Sequence, residues 1–525
     1  MKLACFRMQS LQRLSPVCYL AILVYVLFLI GFSAEQAQAL DLKSPATLGW
    51  GADAESGAPF SFKDPEAPQR IKGFEAEIVA ELAQRLGRDI EFRQNNWEGL
   101  VEGLKRGDCD LIVNGLEITD DRARVVRFSR PYYITSQVIA VRKEIDNVNR
   151  LEDLQGQRVG TLAGSLAQRM LGEQSFPLQV VTYSEELHAY QDLAWGRLDA
   201  VFLDEPIAIY YAKTNPRLKI VGESIGRMEY GVAVRRDDVK LAGDVDVALT
   251  AMIEDGSLRR ILERWGLWNT LTAEAWSQSP SPKNPPVEYQ KFLEDLRRLE
   301  SEQAWSERVA RYAKYAPLLA RGAWMTLKIS LISMLLAMFV GVLVSTMRLY
   351  GPAPIRWLAV AFVEVFRGTP LLIQLFLIFY GLPRVGVELS PFVAAVLGLG
   401  LNYGACEAEN YRAGVLSVPR AQVDAARALG MNLWQRLRHI IWPQAAKLVL
   451  PPMTNDFIAL LKDSSLVSVI TMVELTSTYG QLASASFDYL GLGLLVAGLY
   501  FLLGLPFVQL ARWAEGWVRR ESTGV

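Results

Sequence analysis

From Trp324 to the end, the chain is dominated by long apolar runs, near 324–346, 357–382, 391–405, 447–470 and 489–511. A helix needs ~20 such residues to cross a hydrocarbon core of ~30 Å. Every backbone N–H and C=O inside lipid must find an internal partner, so helix is the form open to runs like these. Five spans place the two ends of the segment on opposite sides of a membrane. Arg348 and Arg356 follow the first run, basic residues fill the loop from Arg412 to Lys447, and Arg512, Arg519 and Arg520 follow the last. Basic residues stay on the cytoplasmic side, so the first span begins outside.

The remaining chain is of a different kind. With 525 residues, 51% hydrophobic and a net charge of -1, the protein is too long for one ordinary domain and too apolar to be soluble throughout. The near-neutral balance and the lack of a long block of like charge exclude a nucleic-acid binder. Four cysteines (5, 18, 109 and 406) and two histidines (188 and 439) show no metal-ligand spacing, and no metal site is expected.

Lys2, Arg7 and Arg13 precede a short apolar run, Val17 to Phe32, and then Ala37-Gln-Ala39. This is the pattern of an export signal, residues 1–39, cleaved after Ala39; an uncleaved anchor helix is the alternative. From Ser44 to about Trp268, short β-branched strands alternate with amphipathic helices, which predicts an α/β domain over 40–268. Ile78, Val79, Leu82 and Leu86 mark one helix, Phe74 to Leu86, and strands are expected around Asp110–Val113 and Val138–Arg142. Gly-Asp-Cys-Asp at 107–110 and Gly-Arg-Leu-Asp at 196–199 end similar helix-to-strand units, suggesting two related lobes. Residues 269–316 then read as a linker. Proline and serine between about 270 and 290 disfavour a continuous helix, and the charged segment Val287 to Ala313 reads as a solvated spacer helix.

The membrane part contains Phe366-Arg-Gly-Thr-Pro370, Glu407-Ala-Glu409 with Arg412, and Asp424-Ala-Ala-Arg-Ala-Leu-Gly430. Ile440, Trp442-Pro-Gln444, Leu450-Pro-Pro452 and Leu461-Lys-Asp-Ser-Ser-Leu466 follow. In this combination, residues 317–520 resemble the permeases of polar amino acid ABC importers, with 521–525 as a cytoplasmic tail. The resemblance implies that Asp424, Ala425, Ala426, Gly430, Ile440 and Pro443 form a cytoplasmic coupling loop that docks on an ATPase. Asp424 stands where that family usually has Glu, and Trp442 where it often has Leu. Gly430 would let the chain turn between helices Val423–Leu429 and Leu433–Ile440. No Gly-x-x-x-x-Gly-Lys-Ser/Thr loop occurs in the sequence. No cofactor is therefore expected on this chain, ATP being used by separate ABC ATPase subunits. One permease domain cannot enclose a two-fold pathway, so a homodimer or a paired permease is implied. Glu364 and Arg367, three residues apart near a span, either pair with each other or serve the substrate path.

The exported domain contains Ala58-Pro-Phe60, Gly73-Phe-Glu-Ala-Glu77, Trp97, Ile118-Thr-Asp-Asp-Arg122, Phe128-Ser-Arg-Pro-Tyr132, Gly164-Ser165 and Asp204-Glu205. It resembles the polar amino acid family of periplasmic solute-binding proteins. The implied fold class is a bilobal α/β periplasmic-binding-protein domain with a two-strand hinge, followed by an all-α transmembrane permease domain of about five spans. The resemblance implies crossings between the lobes near Gln137–Val141 and Tyr230–Val234. It also implies that Arg122 clamps a ligand carboxylate, helped by the N–H groups of Gly164 and Ser165 and the Ser165 hydroxyl. Asp204 would accept the ammonium, Phe60 and Trp97 would cover the ligand, and Asn114 and Gly115 would add acceptors. Glu117 departs from the usual Ser or Thr. With Asp53 and Glu55 facing the same cleft, it would favour a cationic or neutral polar amino acid over an acidic one. Two other classes, a ligand-gated channel and a membrane sensor, fit less well. Both lobe segments precede the first span without interruption, and only a short basic tail follows Ala511.

Overall fold

Runs such as Thr47–Ala52, Arg158–Leu162 and Ala200–Asp204 are buried almost end to end, as strands covered on both faces must be. In a computed structural model that describes residues 47–301 and 305–522, they join one eight-stranded sheet. The export signal at 1–39 lies outside the described residues. The strands are β1 (Thr47–Ala52), β2 (Asp89–Gln94), β3 (Leu111–Ile112), β4 (Val126–Arg142), β5 (Arg158–Leu162), β6 (Gln179–Tyr183), β7 (Ala200–Asp204) and β8 (Leu218–Arg235). Their order is β2-β1-β3-β8-β4-β7-β5-β6. β1 pairs in parallel with β2 and β3, and β5 with β6 and β7. β4 and β8 are antiparallel to each other and to their outer neighbours.

These two long strands belong to both lobes. One end of β8 pairs with β3, and the opposite end of β4 pairs with β7, Gln137 facing Asp204 and Val141 facing Ala200. Residues 137–141 therefore already lie in the second lobe, and the crossing sits a few residues earlier than the sequence suggested. Between them, Tyr133 faces Tyr230 and Thr135 faces Met228, with register shifts from Val221 to Ala233. Broken ladder bonds and the added local twist of bulges mark the place where the strand pair bends.

Helix Phe74–Leu86 buries Ile78, Val79 and Leu82 and ends at Gly87, which is left-handed and returns its N–H to Ala83 and Gln84. The linker is less free than its composition implied. The backbone N–H groups of Lys283 and Asn284 donate to Glu263, and Arg259 donates to the Ser281 carbonyl. Helix Val287–Ser301 is not a solvated spacer either: Phe292 is buried against Tyr210 and Phe487. Its charged residues hid an apolar stripe that the binding domain covers.

Helices Ser306–Tyr350 and Tyr489–Trp513 are long and apolar enough to cross a membrane. The second expected span is broken. Ala353–Gly368 and Leu371–Val385 meet at 108°, where Pro370 supplies no N–H to continue the first helix. Counting that bent pair as one span gives three such crossings among the described residues. Helices Pro391–Leu416 and Trp442–Asp463 cover the third and fourth expected spans. They carry Glu407, Glu409 and Arg412, and Lys447, Asp456, Lys462 and Asp463, and are less apolar than the other two. Glu364 and Arg367 do not pair with each other among the described residues. Glu409 gathers the basic groups instead, binding Arg348 and, at 2.7 Å, Arg412.

Both lobes rest on the membrane domain. From the first, Asn96 donates to the Ser468 carbonyl and the Arg106 guanidinium stacks 4.1 Å from the centre of the Phe379 ring. From the second, His188 packs on Tyr489 and Tyr211 on Phe487.

Gly73 tests how tightly the first lobe is assembled. Its φ is 141°, and a Cβ there would lie 1.7 Å from the Phe60 carbonyl oxygen. Gly73→Ala should destabilise the binding domain by at least about 2 kcal/mol, read as an earlier thermal unfolding transition. An unchanged transition would refute the close approach.

Candidate binding cleft and coupling loop

The cleft between the lobes is lined by Phe60, Trp97, Asn114, Gly115, Glu117, Ser165, Glu186 and Asp204, with Ser56, Leu162, Leu203 and Ile207. Phe60 stacks between Phe74 and Tyr230. Gly115 is left-handed, and a side chain there would strike the Phe60 ring at 2.8 Å. Glu75, fully buried, accepts from Gly115 N at 2.6 Å and from the Tyr132 hydroxyl. Burial pushes its carboxyl up to about 8, which makes Glu75 a brace for the loop rather than a charge in the cleft.

Asp204 sits at the end of β7 on the floor of the cleft. It could have capped the following helix, Glu205–Tyr211, but its side chain makes no such bond. Oδ1 accepts from Gln137 Nε2 at 2.6 Å and Oδ2 from the Tyr230 hydroxyl. Burial raises its pKa to about 7, the charge of Glu117 adds to the rise, and Arg122 opposes it.

Arg122 is anchored in helix Asp120–Val125, where its own backbone N–H donates to the capping Thr119 hydroxyl. Nη1 donates to both the carbonyl and the carboxylate of Glu117, and Nη2 donates to the Gly164 carbonyl across the cleft at 3.2 Å. The guanidinium lies 5.4 Å from the Trp97 ring centre, while the Trp97 indole donates to the Ala163 carbonyl of the second lobe.

Several expected contacts are arranged differently. Gly164 N donates to Gln168, and Ser165 N to the Leu162 carbonyl, so neither N–H is free for a ligand. The Ser165 hydroxyl donates to Leu162 O and accepts from Gln168 N, which makes it a helix cap. The donor at this position is Leu166 N, which reaches Glu117 Oε1 at 3.1 Å. The Asn114 carbonyl oxygen accepts from Asp53 N, so that side chain braces β1's end and is not a spare acceptor. Asp53 does not line the cleft. Its oxygens are used by Glu55 N, Trp97 N and Gln94 Nε2, and it holds the turn that presents Trp97. Glu55 faces the membrane domain, where Ser477 donates to it at 3.0 Å. Burial is the main reason its pKa lies well above the ordinary range.

Glu186, rather than Asp53 or Glu55, is the additional carboxyl group that lines the cleft. It is 5% exposed, and burial, with Asp53, Glu185 and Asp204 nearby, raises its pKa well above normal. Ser184-Glu-Glu reads as an ordinary acidic start to a helix, so only the packing of Glu186–Ala194 shows which carboxylate turns inward. The sequence marks Gln137 and Tyr230 only as the starts of the crossings and does not single out Leu166. Their roles come from strand register and backbone position.

At the other end of the molecule, helix Arg420–Ala428 starts three residues before the expected Val423. Gly430, at φ 75°, turns the chain into a second helical stretch, Leu433–Arg436 and Leu437–Ile441. Asn432 and Gln435 cap its start reciprocally. Val418, Ile441 and Ala445 form a small core beneath, and Ala426 is buried while Ile440 is half-buried. Asp424, Ala425, Gly430 and Pro443 are exposed, as are Leu429 and Trp434 at 82% and 70%, an apolar pair that the motif did not reveal. The ion pair from Asp424 to Arg427 is itself open to water and holds neither residue firmly.

Comparison with known proteins gives these two regions separate relatives. Residues 50–267 match the bacterial extracellular solute-binding proteins, family 3, and residues 333–520 the binding-protein-dependent transport system inner membrane component. A probable amino-acid ABC transporter permease protein of Bacillus subtilis, YckA, is 36% identical over 36% of this chain and 83% of its own length. The L-cystine-binding protein TcyJ of Escherichia coli is 32% identical over 39% of this chain and 78% of its own. The ABC transporter arginine-binding protein 1 of Escherichia coli is 30% identical over 39% and 85%. Binding domain and permease thus share one polypeptide, and the chain belongs to the amino acid ABC importers.

Proposed function

We propose that the chain captures a polar amino acid outside the membrane, with preference for a cationic one, and passes it to its own permease domain. The observation that carries this reading is the opposition of charges across one buried cleft. A guanidinium from the first lobe, Arg122, reaches the Gly164 carbonyl of the second lobe, and the Asp204 carboxyl of the second lobe lines the cleft between them. A zwitterion satisfies both at once. In this reading Arg122 and Leu166 N take the α-carboxylate, and Asp204 with the Gly115 carbonyl takes the ammonium. Phe60 and Trp97 cover the aliphatic part, and Ser165 and Asn114 hold the walls. Glu117 adds a carboxylate beside the one guanidinium, and a ligand cation would draw the buried Glu186 carboxyl into its ionised form, which favours a side chain carrying positive charge and penalises an acidic one. Relatives named for arginine and for cystine support the amino acid class.

The same reading assigns residues 1–39 to export and places the domain at 40–268 on the periplasmic or extracellular face of a bacterial inner membrane. The loop around Asp424, Ala425, Gly430 and Pro443, with Leu429 and Trp434 exposed beside it, docks on separate ABC ATPase subunits that use the ATP. Two permease domains, identical or paired, enclose the path. Covalent attachment keeps the captured ligand at a high effective concentration beside the permease.

Arg122→Ala in the full-length protein should weaken amino acid binding by at least about 100-fold, the loss of two charge-assisted hydrogen bonds. Calorimetry in nanodiscs reads it, and an unchanged affinity would remove the clamp. Binding should also depend on pH. An ammonium prefers ionised Asp204, whose pKa burial raises to about 7, so affinity should rise between about pH 6 and pH 8 and level off above. Asp204→Asn should flatten that profile, and a profile that survives the substitution would assign it elsewhere. For the loop, Gly430→Val forces a β-branched residue into φ 75°. Binding should persist while ATP-driven uptake into proteoliposomes with the ATPase is lost, and normal uptake would argue against a rigid lever.

A further inference from the structure

Glu117 lies in the turn after β3, its backbone bridged to Tyr230, and is 2% exposed. Its carboxylate oxygens are divided between the lobes. Oε2 accepts from the Arg122 guanidinium of its own lobe, and Oε1 accepts from Leu166 N of the other at 3.1 Å. A guanidinium and a backbone amide converging on two carboxylate oxygens are the donors that an α-carboxylate would use. Here the chain itself supplies the carboxylate. Two carboxylates on the same donors repel at close range in a poorly solvated cleft, so one must leave for the other to bind.

We infer that Glu117 is an intramolecular competitor for the α-carboxylate of the ligand, and that the cleft therefore discriminates by what the ligand carries at that position. An α-amino acid has to displace the Glu117 carboxylate from Arg122 and Leu166 N. A cationic amine or guanidine without a carboxylate leaves that pair intact and gains from its negative charge. The displaced carboxylate remains in the cleft with Asp204 and Glu186, where a ligand cation neutralises it; an acidic or neutral side chain offers nothing in exchange. Glu117 is thus a specificity residue that sets both the penalty for α-carboxylates and the demand for positive charge. This inference rests on the proposed amino acid cleft.

The test is calorimetric titration of the full-length protein in nanodiscs with L-arginine and with its decarboxylated counterpart, agmatine, for wild type, Glu117→Ser and Glu117→Gln. Removing the competitor should shift the affinity ratio toward L-arginine by about tenfold, the size of one charge-assisted hydrogen bond. Glu117→Gln, which keeps the volume and loses the charge, should shift it less and in the same direction. Thermal unfolding of each variant guards against misfolding being read as a change in affinity. An unchanged ratio, or a shift toward agmatine, would overturn the competitor and leave the amino acid cleft standing. If L-arginine, agmatine and a panel of the common amino acids all fail to bind every form, the cleft reading itself falls, and this inference with it.

Discussion

The antiparallel ladder between the two long strands β4 and β8 is the constraint on which the cleft depends. Those strands are the ones shared by the lobes, and their pairing decides which side chains meet at the crossing. Gln137, paired with Ile225 of β8 on one side, faces Asp204 of β7 on the other, and Tyr230 stands where β8 bends. Period-two alternation puts every second residue of a strand on one face, so a slip of one residue would turn Gln137 away from Asp204. The polar floor of the cleft is a consequence of register.

Burial does the rest of the electrostatic work. Asp204, Glu186 and Glu75 are all raised chiefly by desolvation, yet they have different surroundings and different uses. Glu75 is held by Gly115 N and Tyr132 and acts as a strut, whereas Asp204 and Glu186 line the space itself. A concave, poorly solvated site with more carboxylates than guanidinium groups is costly to maintain alone. In the proposed reading, a cationic ligand relieves that cost, and the relief is the source of selectivity.

The binding domain and the permease also meet through polar contacts. Helix Leu475–Ser486 of the membrane domain offers Ser477 to Glu55 of the first lobe and Ser484 to Glu185 of the second. Gly480 lies between, where a Cβ would come within 2.6 Å of Glu55. A single helix thus touches both lobes. The loop around Gly430 keeps its own small core and exposes Leu429 and Trp434.

Local pattern sufficed for the two-part architecture, the bilobal α/β domain, the turn at Gly430 and the opposed pair Arg122 and Asp204. Hydropathy, short motifs and helix boundaries are all written in neighbouring residues. Composition misjudged helix Val287–Ser301 and the linker, because their charged residues hide Phe292 and the contacts to Glu263 and Arg259. Motif position likewise misassigned Asp53 and Glu55, whose carboxylates are used by Trp97 N and Ser477. What only the tertiary structure decided was the direction in which each charge points: Glu186 into the cleft, Glu117 onto Arg122 and Leu166, Glu55 onto the permease. Arg122 is a near neighbour of Glu117, but Leu166 lies 49 residues from Glu117 and Ser477 lies 422 from Glu55; strand register and domain docking bring them close, and no local pattern encodes that.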